Sequence, residues 1–199
     1  RAGRKVLSLR QKTERDNDQE AVYTFAESWP DPIPWELANP YLYTLKVFLT
    51  DGDKTIDTYP PLRFGFREIW VKGREIIMNG RPVRFRLGWH AGLTKTSLSL
   101  FRRIGLNVFE FQPNPTAFYC NWPSDWPLIS EELLTHMDEQ GAGVLMRVPS
   151  VNHVHDRLLD DPQAQAAYRR DLNIWLRRYR HHPSILAWIP SMNYVGARD

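Results

Sequence analysis

From Tyr41 onward the chain alternates. Tyr43, Leu45, Val47 and Leu49 fall on one side of an extended segment and Thr44, Lys46 and Thr50 on the other, the two-residue period of a half-buried strand. Asp51-Gly52 turns this strand into a second arm over Lys54–Tyr59. Upstream, Lys5–Arg10 and Ala21–Ala26 have β-type composition and are separated by the polar stretch Lys12–Glu20, which predicts two further strands and a solvated connection. Ser28–Pro40 holds four prolines and reads as a loop laid across a sheet, because proline cannot donate to a ladder; Trp29 and Trp35 are its expected anchors. Between Arg63 and His90 the pattern predicts short strands with turns at Lys72-Gly73 and Asn79-Gly80, since an Asn-Gly pair accepts positive φ at both central positions of a tight hairpin.

After Gly80 a helical period enters the pattern. A strand over Val83–Leu87 leads into a helix over Thr94–Ile104, with Leu100 and Ile104 sharing a face and Gly105 as the stop. Asn107–Gln112 reads as the next strand, followed by a loop rich in Pro, Trp and Tyr and a helix over Ile129–Gln140 striped with Ile129, Leu133, Leu134 and Met137. Val144–Val148 is the third strand. Asp161 caps a helix opened by Pro162, whose stripe is Ala164, Tyr168, Leu172, Trp175 and Tyr179, and Ile185–Ile189 is the fourth strand.

Strands alternating with helices imply a parallel sheet with right-handed crossovers. The expected architecture is therefore multidomain, β followed by α/β: a partial immunoglobulin-like β-sandwich over residues 1–70, then the first half of a (β/α)8 barrel over residues 71–199. A whole barrel takes about 250 residues, so the chain is expected to be part of a longer polypeptide whose remainder closes the ring. A first residue other than Met agrees with that expectation.

Composition narrows the function classes. Twenty-six basic residues against twenty-three acidic ones leave a formal charge of only +3, with the arginines scattered among aromatics, so no nucleic-acid partner is expected. The one cysteine, Cys120, excludes an intrachain disulfide and a thiolate metal cluster. No apolar run reaches the roughly 18 residues of a membrane span, and no membrane partner is expected. The compartment stays open, with a periplasmic or secreted location favoured over a cytoplasmic one.

Gly65-Phe66-Arg67-Glu68, then Met78-Asn79-Gly80-Arg81-Pro82-Val83, then Leu87-Gly88, resemble the junction between sandwich and barrel in glycoside hydrolase family 2, where the words run G-F-R-x-I, x-L-N-G-K-P and L-R-G. The resemblance extends to Trp35 and Asn39-Pro40-Tyr41-Leu42-Tyr43 upstream and to His182-Pro183-Ser184-Ile185 and Trp188 downstream, almost the whole chain. It implies a carbohydrate substrate, hydrolysis of an O-glycosidic bond in a poly- or oligosaccharide, and no cofactor. Retaining glycosidases use one carboxylic acid to protonate the leaving oxygen and a second carboxylate, about 5 Å away, as nucleophile. In the family the acid is the Glu of an Asn-Glu pair shortly after the His-Pro-Ser-Ile word. Here that pair falls on Met192-Asn193 or on Asn193-Tyr194, and neither supplies a carboxylate. Asn193 and Tyr194 are therefore the candidate catalytic positions, and the 199-residue chain alone is expected to be inactive.

In a parallel barrel, reactive groups gather where the strands end. The candidate substrate-binding residues are Trp89, His90, Gln112, Asn114, Arg147 and Trp188. His90 is either pocket-lining or a hydrogen-bonded core histidine. Trp89, Trp122 and Trp126 could stack on sugar rings or merely cover a core. Asp125 reads as a helix-start or turn residue before a displaced carboxylate. Arg147 either binds an acidic sugar or pairs with Glu110 on the neighbouring strand. His153 and His155, with Asp156, are the one cluster suggesting a metal-assisted hydrolase, and they lack a third ligand at fixed spacing, so no metal ligand is assigned. Ser130 and Ser150 lack the elbow motif of a serine nucleophile. A barrel that binds carbohydrate without cleaving it is the alternative reading.

Overall fold

The computed structural model describes residues 5–12, 22–89, 93–111, 130–147 and 161–189, and the chain divides into two compact units, Arg1–Pro32 and Ile33–Asp199. In the first unit, residues 5–12 and 22–32 form neither strand nor helix. The two strands expected at Lys5–Arg10 and Ala21–Ala26 are thus not formed over the described residues. Val6, Leu7, Leu9, Val22 and Phe25 are exposed there: β-type composition makes a strand only where a neighbouring ladder receives it.

The second unit opens with the proline-rich loop and an antiparallel hairpin of β1 (Tyr43–Asp51) and β2 (Lys54–Phe64). The second arm is longer than the pattern predicts. The ladder slips between Leu45 and Val47, opposite Pro60-Pro61, and then continues to the pair Tyr43–Phe64. Two residues without an N–H end a regular ladder, and the bulge restores it. The far end of the hairpin is exposed on both faces, Leu45, Val47, Phe48 and Leu49 included. Its base is held by packed rings: Tyr43, Phe64 and Phe66 lie with centroids 5.5–5.8 Å apart, and the Tyr43 hydroxyl accepts from the Ile33 amide at 2.8 Å.

Next come β3 (Ile69–Lys72), β4 (Glu75–Met78) and β5 (Arg81–Val83), a three-stranded antiparallel sheet. Both residues of the β4–β5 turn have positive φ, 49° at Asn79 and 81° at Gly80, as the Asn-Gly pair predicts. Asn79 does more than turn. Its Oδ1 accepts from the Glu68 amide at 2.9 Å and its Nδ2 donates to the Trp35 carbonyl at 3.0 Å, so the turn residue ties the sheet to the loop before it.

The parallel sheet contains β6 (Leu87–Trp89), β7 (Val108–Phe111), β8 (Gly143–Arg147) and β9 (Ile185–Ile189) in that spatial order. Its first strand corrects the expected Val83–Leu87: Val83 belongs to β5, antiparallel to β4, and the parallel strand begins at Leu87. The cause is Asn107. Its Oδ1 accepts from the Arg86 amide at 2.7 Å and its Nδ2 donates to the Arg84 carbonyl at 3.0 Å, capturing the backbone groups that would have continued the ladder.

Helices α1 (Lys95–Arg103), α2 (Glu131–Gln140) and α3 (Pro162–Tyr179) are capped by Thr94, Ser130 and Asp161, whose side chains accept from Ser97, Leu133 and Gln163 amides. They cover one face of the sheet. Leu98, Leu133, Leu134 and Met137 pack there against Phe109, Val144, Met146 and Ile185. The stripe of α2 is as predicted over the described residues, whereas on α1 the buried residue is Leu98, and Leu100 and Ile104 face solvent. On the opposite face Trp35 and Met78 pack on Val108 and Leu186, with Ile69, Val83 and Leu145 alongside. Because Val108 pairs with Gly143 at the strand starts, the loop and the three-stranded sheet close this face at the N-terminal ends of the strands. No described helix is long and apolar enough to cross a membrane.

Candidate active site and its support

Register decides which side chains share the face closed below by Trp35. Val108 and Leu145 lie on it, and two residues further on so do Glu110 and Arg147, by the alternation of a strand. The Arg147 Nε donates to Glu110 Oε1 at 2.6 Å and a terminal guanidinium nitrogen lies 2.5 Å from the same oxygen. Both side chains are largely buried, at 5% and 16% exposure. Of the two readings of Arg147, the structure shows the pairing with Glu110. This ion pair sits at the C-terminal ends of β7 and β8, where it fixes one positive and one negative charge.

Trp188 lies elsewhere than expected. A register shift after Val144 brings Trp188 opposite Met146, so its indole joins the helix side, 5.3 Å from Trp175 in an edge-on arrangement. It packs α3 on the sheet. Trp89 occupies the last position of β6. His90, Gln112, Asn114, Asn193 and Tyr194 lie outside the described residues, as do Trp122, Asp125, Trp126, Ser150, His153, His155 and Asp156.

A second polar cluster sits on the N-terminal side of β9. His182, 2% exposed, has Nδ1 at 2.6 Å from Asp138 Oδ2 and Nε2 at 2.9 Å from Glu131 Oε1. The other Asp138 oxygen accepts the Ser184 amide at 3.0 Å, and the Asp138 backbone carbonyl accepts the Trp35 indole N–H at 2.7 Å. Burial by itself would lower the His182 pKa, but the hydrogen bonds and charges of Asp138 and Glu131 outweigh it and leave the value above that of an ordinary imidazole. His181 moves the opposite way, lowered first by burial and then by the neighbouring His182 charge. Arg67 completes the support: its Nε donates to the Pro183 carbonyl at 2.6 Å and its terminal nitrogen to the Ile185 carbonyl. The words Gly-Phe-Arg and His-Pro-Ser-Ile are thus physically joined. Sequence reasoning missed this cluster, although Glu131 and Asp138, seven residues apart on one helix, carried a signal in their common face.

Residues 1–67 match the family model "Glycosyl hydrolases family 2". A beta-glucuronidase of Streptococcus agalactiae is 28% identical over 193 residues, 83% of this chain and 30% of that protein. A beta-galactosidase of Bacteroides ovatus is 26% identical over 201 residues, 94% of this chain and 22% of that protein. The chain is similar to glycosyl hydrolases family 2, by the family model over its first third and by these relatives over most of its length. Among solved structures, a b-glucuronidase from Ruminococcus gnavus in complex with D-glucuronic acid superposes with TM-score 0.58 at 25% identity, over 78% of this chain and 26% of that one. A GH2 beta-galacturonidase from Eisenbergiella tayi bound to galacturonate gives 0.59 at 24% identity, over 81% and 28%. The chain has a mixed sheet-and-helix fold like part of these solved structures, and spans less than a third of the length of these curated relatives.

Proposed function

We propose that this chain supplies an immunoglobulin-like module, residues 1–70, and the first half of a catalytic (β/α)8 barrel, residues 71–199, to a glycosidase that hydrolyses O-glycosidic bonds in poly- or oligosaccharides. The observation that carries the reading is the parallel order β6-β7-β8-β9 with the buried Glu110–Arg147 pair at the C-terminal ends of β7 and β8. A sugar bound above those ends is lined by Trp89, His90, Gln112 and Asn114. The glucuronidase and galactosidase names of the relatives support the same substrate class.

Asn193 and Tyr194 follow β9, where a departing glycosidic oxygen would need a proton. With no carboxylate at Met192, Asn193 or Tyr194, the phenol of Tyr194 is the proton donor in this reading. A phenol has a pKa near 10, so it needs a neighbouring positive charge to approach the transition state as an acid. The nucleophile comes from the rest of the polypeptide. Turnover of aryl glycosides by the full-length protein, compared with Tyr194→Phe, tests the assignment: loss of turnover of about 100-fold or more is expected for a general acid, and unchanged turnover removes Tyr194 from the mechanism.

The missing Glu also favours a second reading, a barrel that binds carbohydrate without cleaving it. Saturable sugar binding by the full-length protein with no hydrolysis of any aryl glycoside would establish that reading. A hydrolase using His153 and His155 with a metal is the third, and chelator-sensitive turnover that His153→Ala abolishes would support it.

A further inference from the structure

Glu131, His181 and His182 bring one carboxylate oxygen and two imidazole nitrogens within 4.8 Å of one another. The Nε2 of His182 is 2.9 Å and the Nε2 of His181 is 3.6 Å from the same Glu131 oxygen. In a tetrahedral site with bonds of about 2.0–2.1 Å, neighbouring ligand atoms are about 3.3 Å apart, a value these two separations bracket. We propose that Glu131, His181 and His182 form a binding site for one divalent transition-metal ion, of which Zn2+ is the best match to two imidazoles and a carboxylate.

Three features separate this set from a chance surface cluster. First, the buried ring is oriented from behind: His182 Nδ1 is held by Asp138 Oδ2 at 2.6 Å. A metal-binding histidine characteristically gives its second nitrogen to a carboxylate or carbonyl in this way, which fixes the ring and raises its basicity. Second, Asp138 is itself anchored by the Ser184 amide, so the backing carboxylate cannot swing away. Third, the ligands differ in access. His182 is enclosed at 2% exposure, His181 stands at 19% and Glu131 at 48%, which gives an ion an entry path and leaves a fourth position for water. Glu131 begins α2 and the two histidines lie between α3 and β9, so one ion clasps two segments of chain.

Co2+ reports directly on such coordination. Protein cleared of metal with a chelator is expected to take up one Co2+ per chain with the visible absorption of a tetrahedral site, and Zn2+ to displace it. His181→Ala and Glu131→Gln, both at accessible positions, are each expected to weaken Co2+ binding by about 10-fold or more with the circular dichroism spectrum retained. His153→Ala and His155→Ala should leave it unchanged. Absence of saturable uptake, uptake equal to wild type in folded Glu131→Gln and His181→Ala, or loss of uptake in the His153 or His155 variant would overturn the assignment.

Discussion

The indole N–H of Trp35 donates to the backbone carbonyl of Asp138 at 2.7 Å, across 103 residues of chain. Trp35 is fully buried and its backbone carbonyl accepts from Asn79 Nδ2, so one residue, by its side chain and its backbone, links the loop, the Asn-Gly turn and α2. Trp35→Phe keeps most of the apolar area and deletes the N–H, leaving a buried carbonyl with one donor fewer. We expect a loss of about 1–3 kcal/mol in urea unfolding, and Trp35→Ala should cost about 3–5 kcal/mol.

The Glu110–Arg147 pair should behave as a buried ion pair does. Removing one partner strands the other charge, so Arg147→Met alone is expected to lower stability by about 3–5 kcal/mol. Glu110→Leu together with Arg147→Met should recover most of that loss. A double-mutant cycle in denaturant measures the coupling, and additive costs would show that the charges do not depend on each other.

Gly141 ends α2 with φ of 66°, and a Cβ there would lie 2.3 Å from the Leu37 carbonyl oxygen. Gly141→Ala combines left-handed strain with a backbone clash that no rotamer relieves. The midpoint of thermal unfolding should fall, with a cost of at least about 1–2 kcal/mol, whereas Gly52→Ala, where φ is also positive but nothing lies within 4 Å, should cost less.

Asn107 offers a test of the displaced strand. Asn107→Ala frees the Arg84 carbonyl and the Arg86 amide from its side chain. A cost of about 1–2 kcal/mol is expected, with faster amide exchange at Arg86 as the local readout. Exchange at Arg86 no faster than in wild type would show that the backbone holds this bend without its bracket.

These contacts explain how far the sequence could be read. Local chemistry was legible: Asn79-Gly80 dictates its own turn, Asp161-Pro162 its own helix start, and Leu133, Leu134 and Met137 their own buried face. Groups that act at a distance were not. Nothing near Val83 announces that Asn107 will take up the backbone after it, and the two-residue period could not foresee that Pro60-Pro61 would bulge and let β2 run on to Phe64. A register shift moves Trp188 to the helix side, which the alternation alone does not show, while Leu100 and Ile104 share a face that packing leaves to solvent. At the strand ends, Glu110 and Arg147 carried a signal because opposite charges on adjacent strands are natural partners. The His182 cluster carried only the spacing of Glu131 and Asp138.

Arg67 spans the carbonyls of Pro183 and Ile185 from a segment more than a hundred residues earlier, and this bridge has a dynamic consequence. Amides around Trp35, Asn79 and Ser184 should open together in hydrogen exchange, at one shared free energy, while the tip of the β1–β2 hairpin exchanges at a far lower one. The earliest and latest parts of the second unit would then be the same cooperative element, so synthesis must reach Ile185 before Arg67 has anything to hold.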